Sequence, residues 1–218
     1  MFSLFNDDEG TVVGLLAERV RQDISFGELA PDTKLKIEEL RRAYGGSAHS
    51  IREALMILAA EGLVEATAQK GFRVTSATQA DLEDITRLRA EIESLGLHWS
   101  MEKGDVEWEG NIIASHHALT RAEAAVEADP IEQALDWDDA NRAFHSALIA
   151  SCESRGLLEI QNRLFIQGRR FRLAALREGQ IDFAENKRAL ADIMEHSISR
   201  NAKEAVKALR THIMRQCT

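Results

Sequence analysis

The chain has 218 residues, a net charge of −9, two prolines and two cysteines, Cys152 and Cys217. No apolar run approaches the ~20 residues that span a bilayer, and no basic segment followed by an apolar core opens the chain, so neither a membrane protein nor a secreted one is expected. The length suits two modest domains; scarce proline beside abundant Ala, Leu, Glu and Arg points to a mainly helical protein, and the two distant cysteines, without metal-type spacing, read as reduced thiols in a cytoplasm.

Thr11 to Ile24 reads as an amphipathic helix, with Val12, Leu15, Leu16, Val20 and Ile24 on its apolar side. A loop from Phe26 to Pro31 follows. Ile37 to Tyr44 is a short helix with Ile37, Leu40 and Tyr44 on one face. Gly45-Gly46 turns the chain into a second helix that Ser47 can cap. Ile51, Leu55, Leu58, Leu63 and Val64 form its apolar stripe, and Gly62 is a natural stop. Leu63–Ala66 and Phe72–Thr75 are short β-like runs on either side of a Gln69-Lys70-Gly71 turn. Two helices joined by a tight turn, then a small charged hairpin, make a winged helix-turn-helix. That module sets one helix in the DNA major groove and the hairpin beside the backbone. The expected domain is 1–76.

The segments FGELAPDTKLKIEEL, GGSAHSIREALMILAAEGLVE and KGFRV, in that order, resemble the DNA-binding domain of GntR-type bacterial transcription regulators. In such regulators the recognition helix usually begins Ser-Arg-Thr-Pro-Val-Arg-Glu-Ala-Leu. Here the stretch is Ser47-Ala48-His49-Ser50-Ile51-Arg52-Glu53-Ala54-Leu55. The resemblance makes Arg52 a contact to phosphate or a guanine edge. A salt bridge inside the domain is the other reading of Arg52. Ala48 replaces a usual Arg, and Glu38 stands where relatives often carry Arg; Arg41 and Arg42 can compensate on neighbouring faces. Ser47, His49 and Ser50 can hydrogen-bond to DNA, and Lys70 with Gly71 fits a wing-tip contact. Between Lys34 and Arg73 there are seven basic and five acidic residues, a local +2 in an acidic chain. Contact therefore depends on local clusters, with two protomers sharing the phosphates.

Beyond Ser76 the pattern is helical: Thr78–Glu102, Trp108–Ala128, Ile131–Ser151, Leu157–Leu176, Phe183–Ser199 and Ala202–Met214. This makes 77–218 an all-α bundle. DLEDITRLRAEIES, NRAFHSALIAS and NAKEAVKALRTHI resemble the helical effector-binding and dimerisation (FCD-type) domain of the FadR-like subgroup. Many such domains hold a divalent metal with an Asp and a His four residues apart and two further His. The corresponding positions here are Asn141, His145, Leu190 and His212. Two usual ligands are replaced, so the resemblance leaves His145 and His212 as a degraded metal pair or as neutral histidines lining an effector pocket. His196, about 240° around the helix from Leu190, faces elsewhere.

Arg89 and Glu93, four apart, read either as an intrahelical ion pair or as a pocket in which Arg89 holds an effector carboxylate. His116 and His117 point to different faces. Arg169, Arg170, Arg172 and Arg177, around Phe171, read as a solvated or interprotomer face, and Trp99, Trp108 and Trp137 as packing residues. The whole implies a cytoplasmic, homodimeric repressor. Its partners are a double-stranded DNA operator and a small effector such as a carboxylate, bound by Arg89, Asn141, His145 and His212. The rivals are a diverged member without specific DNA binding, serving as a ligand- or protein-binding module, and a metal-dependent enzyme. No nucleophile–base constellation or phosphate loop supports the enzyme.

Overall fold

The computed structural model describes residues 11–68 and 70–217; Gln69 and the Cys217 side chain lie outside the described residues. The chain divides into two units, Met1–Thr78 and Gln79–Thr218.

In the first unit, Thr11 caps α1 (Val12–Phe26), its hydroxyl accepting from the Gly14 amide at 3.0 Å. α1 buries Leu16, Ala17, Val20 and Ile24 and packs on α3 (Ala48–Glu61). Val12 and Leu15, expected on the apolar side, are exposed. Leu15 sits about 100° around the helix from Leu16, outside the stripe that meets α3. α2 (Ile37–Tyr44) contributes Leu40 to the core, while the half-buried Tyr44 hydroxyl donates to Asp23. The Gly46 position, at φ +80°, favours glycine on two counts. The left-handed backbone disfavours a side chain, and a Cβ would come within 2.9 Å of Leu16. This turn lets α3 lie close to α1, where Arg21 donates twice to the Glu61 carboxylate.

α3 ends at Gly62 in the left-handed conformation, with Leu63 N–H closing on the Leu58 carbonyl. Leu63 therefore belongs to the helix cap, and the strand begins one residue later than its sequence suggests. The sheet has the order β1 (Lys34–Leu35), β3 (Gly71–Val74), β2 (Val64–Thr67), all antiparallel. β1 was not expected. Two residues carry no readable periodicity, and pairing with β3 alone defines it. Phe72 and Val74 point into the core, so Gly71 and Arg73 point out.

The second unit contains α4 (Gln79–Lys103), α5 (Val106–Ala128), α6 (Ala134–Ile149), α7 (Arg155–Arg177), α8 (Phe183–Ile198) and α9 (Ala202–Met214), then a 3-10 turn, Arg215–Cys217. α6 starts three residues later than expected, because the Asp129 carboxylate accepts from the Ile131 and Glu132 amides and holds a turn there. α4 packs against α6, α7 and α9, and α5 against α6 and α8. The buried side of α4 includes Arg89, Glu93, Ser94 and Ser100, an unusual load of polar groups for a central helix. Trp108 and Trp137 are buried packing residues, and the Trp108 indole donates to the Ala147 carbonyl at 3.0 Å.

Glu123 of α5 is fully buried against α8, where Asn186 donates to one carboxylate oxygen and the other has no partner among the described residues. Burial pushes this carboxyl up to about 7, against the opposing hydrogen bond from Asn186. The folded state thus keeps a proton that the unfolded chain releases near 4.5. The stability from that proton is complete below about pH 4.5 and is lost as pH rises through about 7. Glu123→Gln is expected to remove this dependence. Melting of variant and wild type across that range should show the variant gaining relative stability as pH rises.

Candidate functional site

On α3, His49, Arg52, Glu53 and Met56 recur at helical spacing and are exposed, opposite the buried Ile51, Leu55 and Leu58. Ser47 caps the helix: its hydroxyl accepts from the Ser50 amide at 3.0 Å and lies 2.9 Å from the Ser50 hydroxyl. His49 Nε2 lies 3.1 Å from Glu53. Arg52 has no hydrogen bond or ion pair among the described residues, so the internal salt-bridge reading is overturned. Its guanidinium is solvated and available. Arg41 is tied to Glu38 at 3.0 Å, whereas Arg42 is exposed beside it. Thus the Glu that replaces a usual Arg also occupies one of the two compensating arginines.

Gly71 holds φ +81° at the wing turn, and nothing lies within 4 Å of the place a Cβ would take. The backbone there can approach a partner directly. Lys70 is exposed next to it. Strand pairing sets Lys34 and Glu65 on either side of Arg73, and these residues line a surface groove of about 430 Å³ with Lys70. Lys34 and Arg73 were missed as candidates. The alternation of Phe72 and Val74 could have revealed Arg73; the unrecognised β1 concealed Lys34.

The second unit gathers its polar residues inside. Glu93 of α4 accepts from Arg89 Nε at 2.9 Å through one oxygen and meets His145 Nδ1 of α6 at 2.6 Å through the other. All three are essentially sealed from solvent. Burial alone would raise the Glu93 carboxyl, but Arg89 and then His145 outweigh it and hold it down at about 2. Because the carboxylate can only accept, the His145 proton sits on Nδ1, leaving a lone pair on Nε2. The His145 and His212 rings stack with centroids 5.5 Å apart. Burial, with His145 adding to it, pushes His212 down to about 3, so this imidazole is neutral. Phe165 of α7 carries two guanidiniums over its ring, Arg172 at 3.8 Å and Arg89 at 4.6 Å. Arg89 Nη2, Arg172 Nη1, Asn141 Oδ1, His145 Nε2 and His212 Nε2 are all buried without a hydrogen-bond partner among the described residues. Unsatisfied buried polar atoms are costly, and five in one region make it the candidate ligand site of this unit.

A family model for bacterial regulatory proteins of the gntR family matches residues 15–74, and a model of the FCD domain matches residues 84–215. The chain belongs to the GntR family. It is therefore a transcription regulator, not an enzyme, with a DNA-binding helix-turn-helix and an FCD effector-binding domain. It is 34% identical over 196 residues to the "Uncharacterized HTH-type transcriptional regulator BphR" of Paraburkholderia xenovorans (strain LB400), covering 90% of this chain and 80% of that protein. It is also 34% identical over 199 residues to the "HTH-type transcriptional repressor GlaR" of Escherichia coli (strain K12), covering 89% of each. E. coli McbR/YncC shares the fold, with a TM-score of 0.71 over 94% of both chains at 20% identity.

The metal common to related FCD domains does not suit this GntR regulator's donor set. The interior offers two neutral imidazoles and one amide oxygen, while Leu190 is a buried hydrocarbon. Among the described residues no three His, Cys, Asp or Glu side chains could hold one ion. His196 lines the outer groove between α8 and α9. An amide oxygen and two imidazoles bind a divalent transition metal weakly.

Arg169 and Arg172 correct the sequence reading of a solvated basic face. Both are buried, and both donate to Asp138 of α6, at 2.6 and 2.7 Å. They fall on the same side of α7 as Phe165 and Leu173, and two carboxylates make that position tolerable: Asp138, shared by both, and Asp139, which accepts from Arg169 as well. Arg172 and Asp138 were invisible as a pair because 34 residues separate them.

Asp138→Asn is expected to lower stability by ~3–5 kcal/mol, since two guanidiniums lose their buried counter-charge; urea denaturation measures this. Asn141→Asp combined with Leu190→His completes a carboxylate and three imidazoles. Zn²⁺ is expected to survive dialysis against buffer in this double variant and to be lost from the wild type, as read by elemental analysis.

Proposed function

We propose that this GntR-family regulator is a cytoplasmic homodimeric repressor that releases its operator when a small organic carboxylate enters the FCD domain. The carrying observation is the pair of buried, unpartnered guanidinium N–H groups on Arg89 and Arg172 over one Phe165 ring. Guanidinium N–H groups suit a carboxylate, and in this pocket they take over the charge recognition that a metal would supply. The His145 Nε2 lone pair and Asn141 Oδ1 favour a ligand that also carries a hydroxyl or another donor. The repressor sense follows the name of the E. coli relative GlaR.

Dimerisation is supported by α4, where Leu88, Ile92, Leu95 and Trp99 recur at the 4-3-4 spacing of a helix–helix seam. Leu88 and Leu95 are 43% and 42% exposed, more than isolated apolar side chains on a polar helix require. Each protomer then offers its α3 edge and wing to one half-site of a near-palindrome. Effector binding shifts the population between DNA-competent and DNA-incompetent dimers. The alternative of a member that has lost DNA binding gains no support from a helix edge and wing that keep Arg52, Lys70, Lys34 and Arg73 outward.

Selection of bound duplexes from a random pool at low salt is expected to enrich an inverted repeat. On that operator, Arg52→Ala should cost ~1–3 kcal/mol, and Lys70→Ala should lower the salt slope by about 1. Operator affinity left unchanged by the double variant, measured by fluorescence anisotropy, would sink the assignment of this face.

A further inference from the structure

The Arg89 guanidinium has one partner that the pocket chemistry does not call for. Its Nη1 donates to Gln216 Oε1 at 3.0 Å, across 127 residues of sequence. Gln216 lies in the 3-10 turn Arg215–Cys217 that follows α9 and packs on α4. Arg89 already has a carboxylate on Nε, from Glu93. Its Nη2 has no partner among the described residues. A neutral side-chain amide therefore occupies one N–H of a buried cation while the adjacent N–H stays empty.

The turn also stands at the way in. A groove of about 320 Å³ between α8 and α9 is lined by Asp192, His196, Thr211, His212 and Arg215. It shares His212 with the interior cluster, and His212 keeps 5% exposure where the neighbouring His145 has none. Arg215, immediately before Gln216, is held by Glu185 across the groove. Solvent thus reaches the edge of the polar cluster beside the residue that fills its Arg89 position.

We propose that Gln216 is a built-in surrogate ligand: its amide holds the Arg89 N–H that an effector carboxylate takes, and the C-terminal turn is the gate that an effector displaces. This rests on the reading of the interior cluster as the effector pocket. The exchange is favourable because a carboxylate makes a charge-assisted bond to guanidinium, about twice as strong as that of a neutral amide, and can use Nη1 and Nη2 together. Gln216 in turn prevents Arg89 from being left with two unsatisfied N–H groups when no effector is present. Occupancy is thereby converted into a movement of the turn after α9.

Isothermal titration of the full-length protein with acetate, succinate, malate and gluconate, at fixed ionic strength, tests this. Wild type is compared with Gln216→Ala, Gln216→Glu and Arg89→Met. Gln216→Ala is expected to bind responsive acids about tenfold more tightly, because nothing has to be displaced. Gln216→Glu brings its own carboxylate to Arg89 and is expected to bind them about tenfold more weakly or not at all. Arg89→Met should abolish binding. Melting curves run in parallel identify any variant that fails to fold. A tether with a structural role only would lower the melting temperature of Gln216→Ala and leave its acid affinity equal to wild type. Equal affinities in wild type, Gln216→Ala and Gln216→Glu overturn the gate and leave the pocket standing. Binding that persists in Arg89→Met, or no binding by wild type and Gln216→Ala alike, overturns the pocket reading and the gate with it.

Discussion

Glu93 is the interaction on which the effector domain is organised. A carboxylate with no solvent exposure survives only if its oxygens are partnered, and Arg89 and His145 partner one each. This joins α4 to α6, sets the tautomer of His145 and turns Nε2 inward. Asp138 repeats the logic one layer away, joining α6 to α7 through Arg169 and Arg172. Neither cluster is an efficient source of stability, since desolvation offsets most of the Coulomb attraction. What such clusters supply is fixed orientation, and fixed orientation is what a recognition pocket needs.

The interior of the FCD domain is poor in metal donors and rich in guanidinium. Asn141 cannot supply the negative charge that a metal wants, and Leu190 supplies no lone pair. Arg89 and Arg172 instead place two guanidiniums over the Phe165 ring, the feature on which the carboxylate proposal rests. Burial pulls the Arg172 guanidinium down to about 10, against the pull of Asp138 and with Arg89 adding repulsion. On the proposed reading, an anion placed between the two would relieve that repulsion.

The DNA-binding unit uses charge in the opposite way. Arg52, Arg42 and Lys70 are exposed, and the core beneath them is almost purely apolar, from Leu16 and Val20 through Leu55 and Leu58 to Phe72. Solvated cations cost little to hold and release counterions when they meet phosphate. On this unit Ala48 of α3 and the Arg41–Glu38 pair of α2 mark the departures from the usual pattern of relatives.

Local order was legible in the sequence because its causes are local. Ser47 and Gly62 bound α3 by capping chemistry, the 3.6-residue rhythm of Ile51, Leu55 and Leu58 names its buried side, and Lys70-Gly71 announces a turn. The i,i+4 spacing of Arg89 and Glu93 likewise announced the intrahelical ion pair that the structure contains, though not its burial. Where a feature depends on a distant partner, the sequence is silent. β1 exists only through β3. Arg169 and Arg172 look like surface charges until Asp138 is brought against them, and Gln216 is an ordinary polar residue until the turn after α9 lays it on Arg89. Periodicity and caps are properties of neighbours along the chain. Charge neutralisation, and which buried N–H is left without a partner, are properties of neighbours in space, and only the tertiary structure decides them.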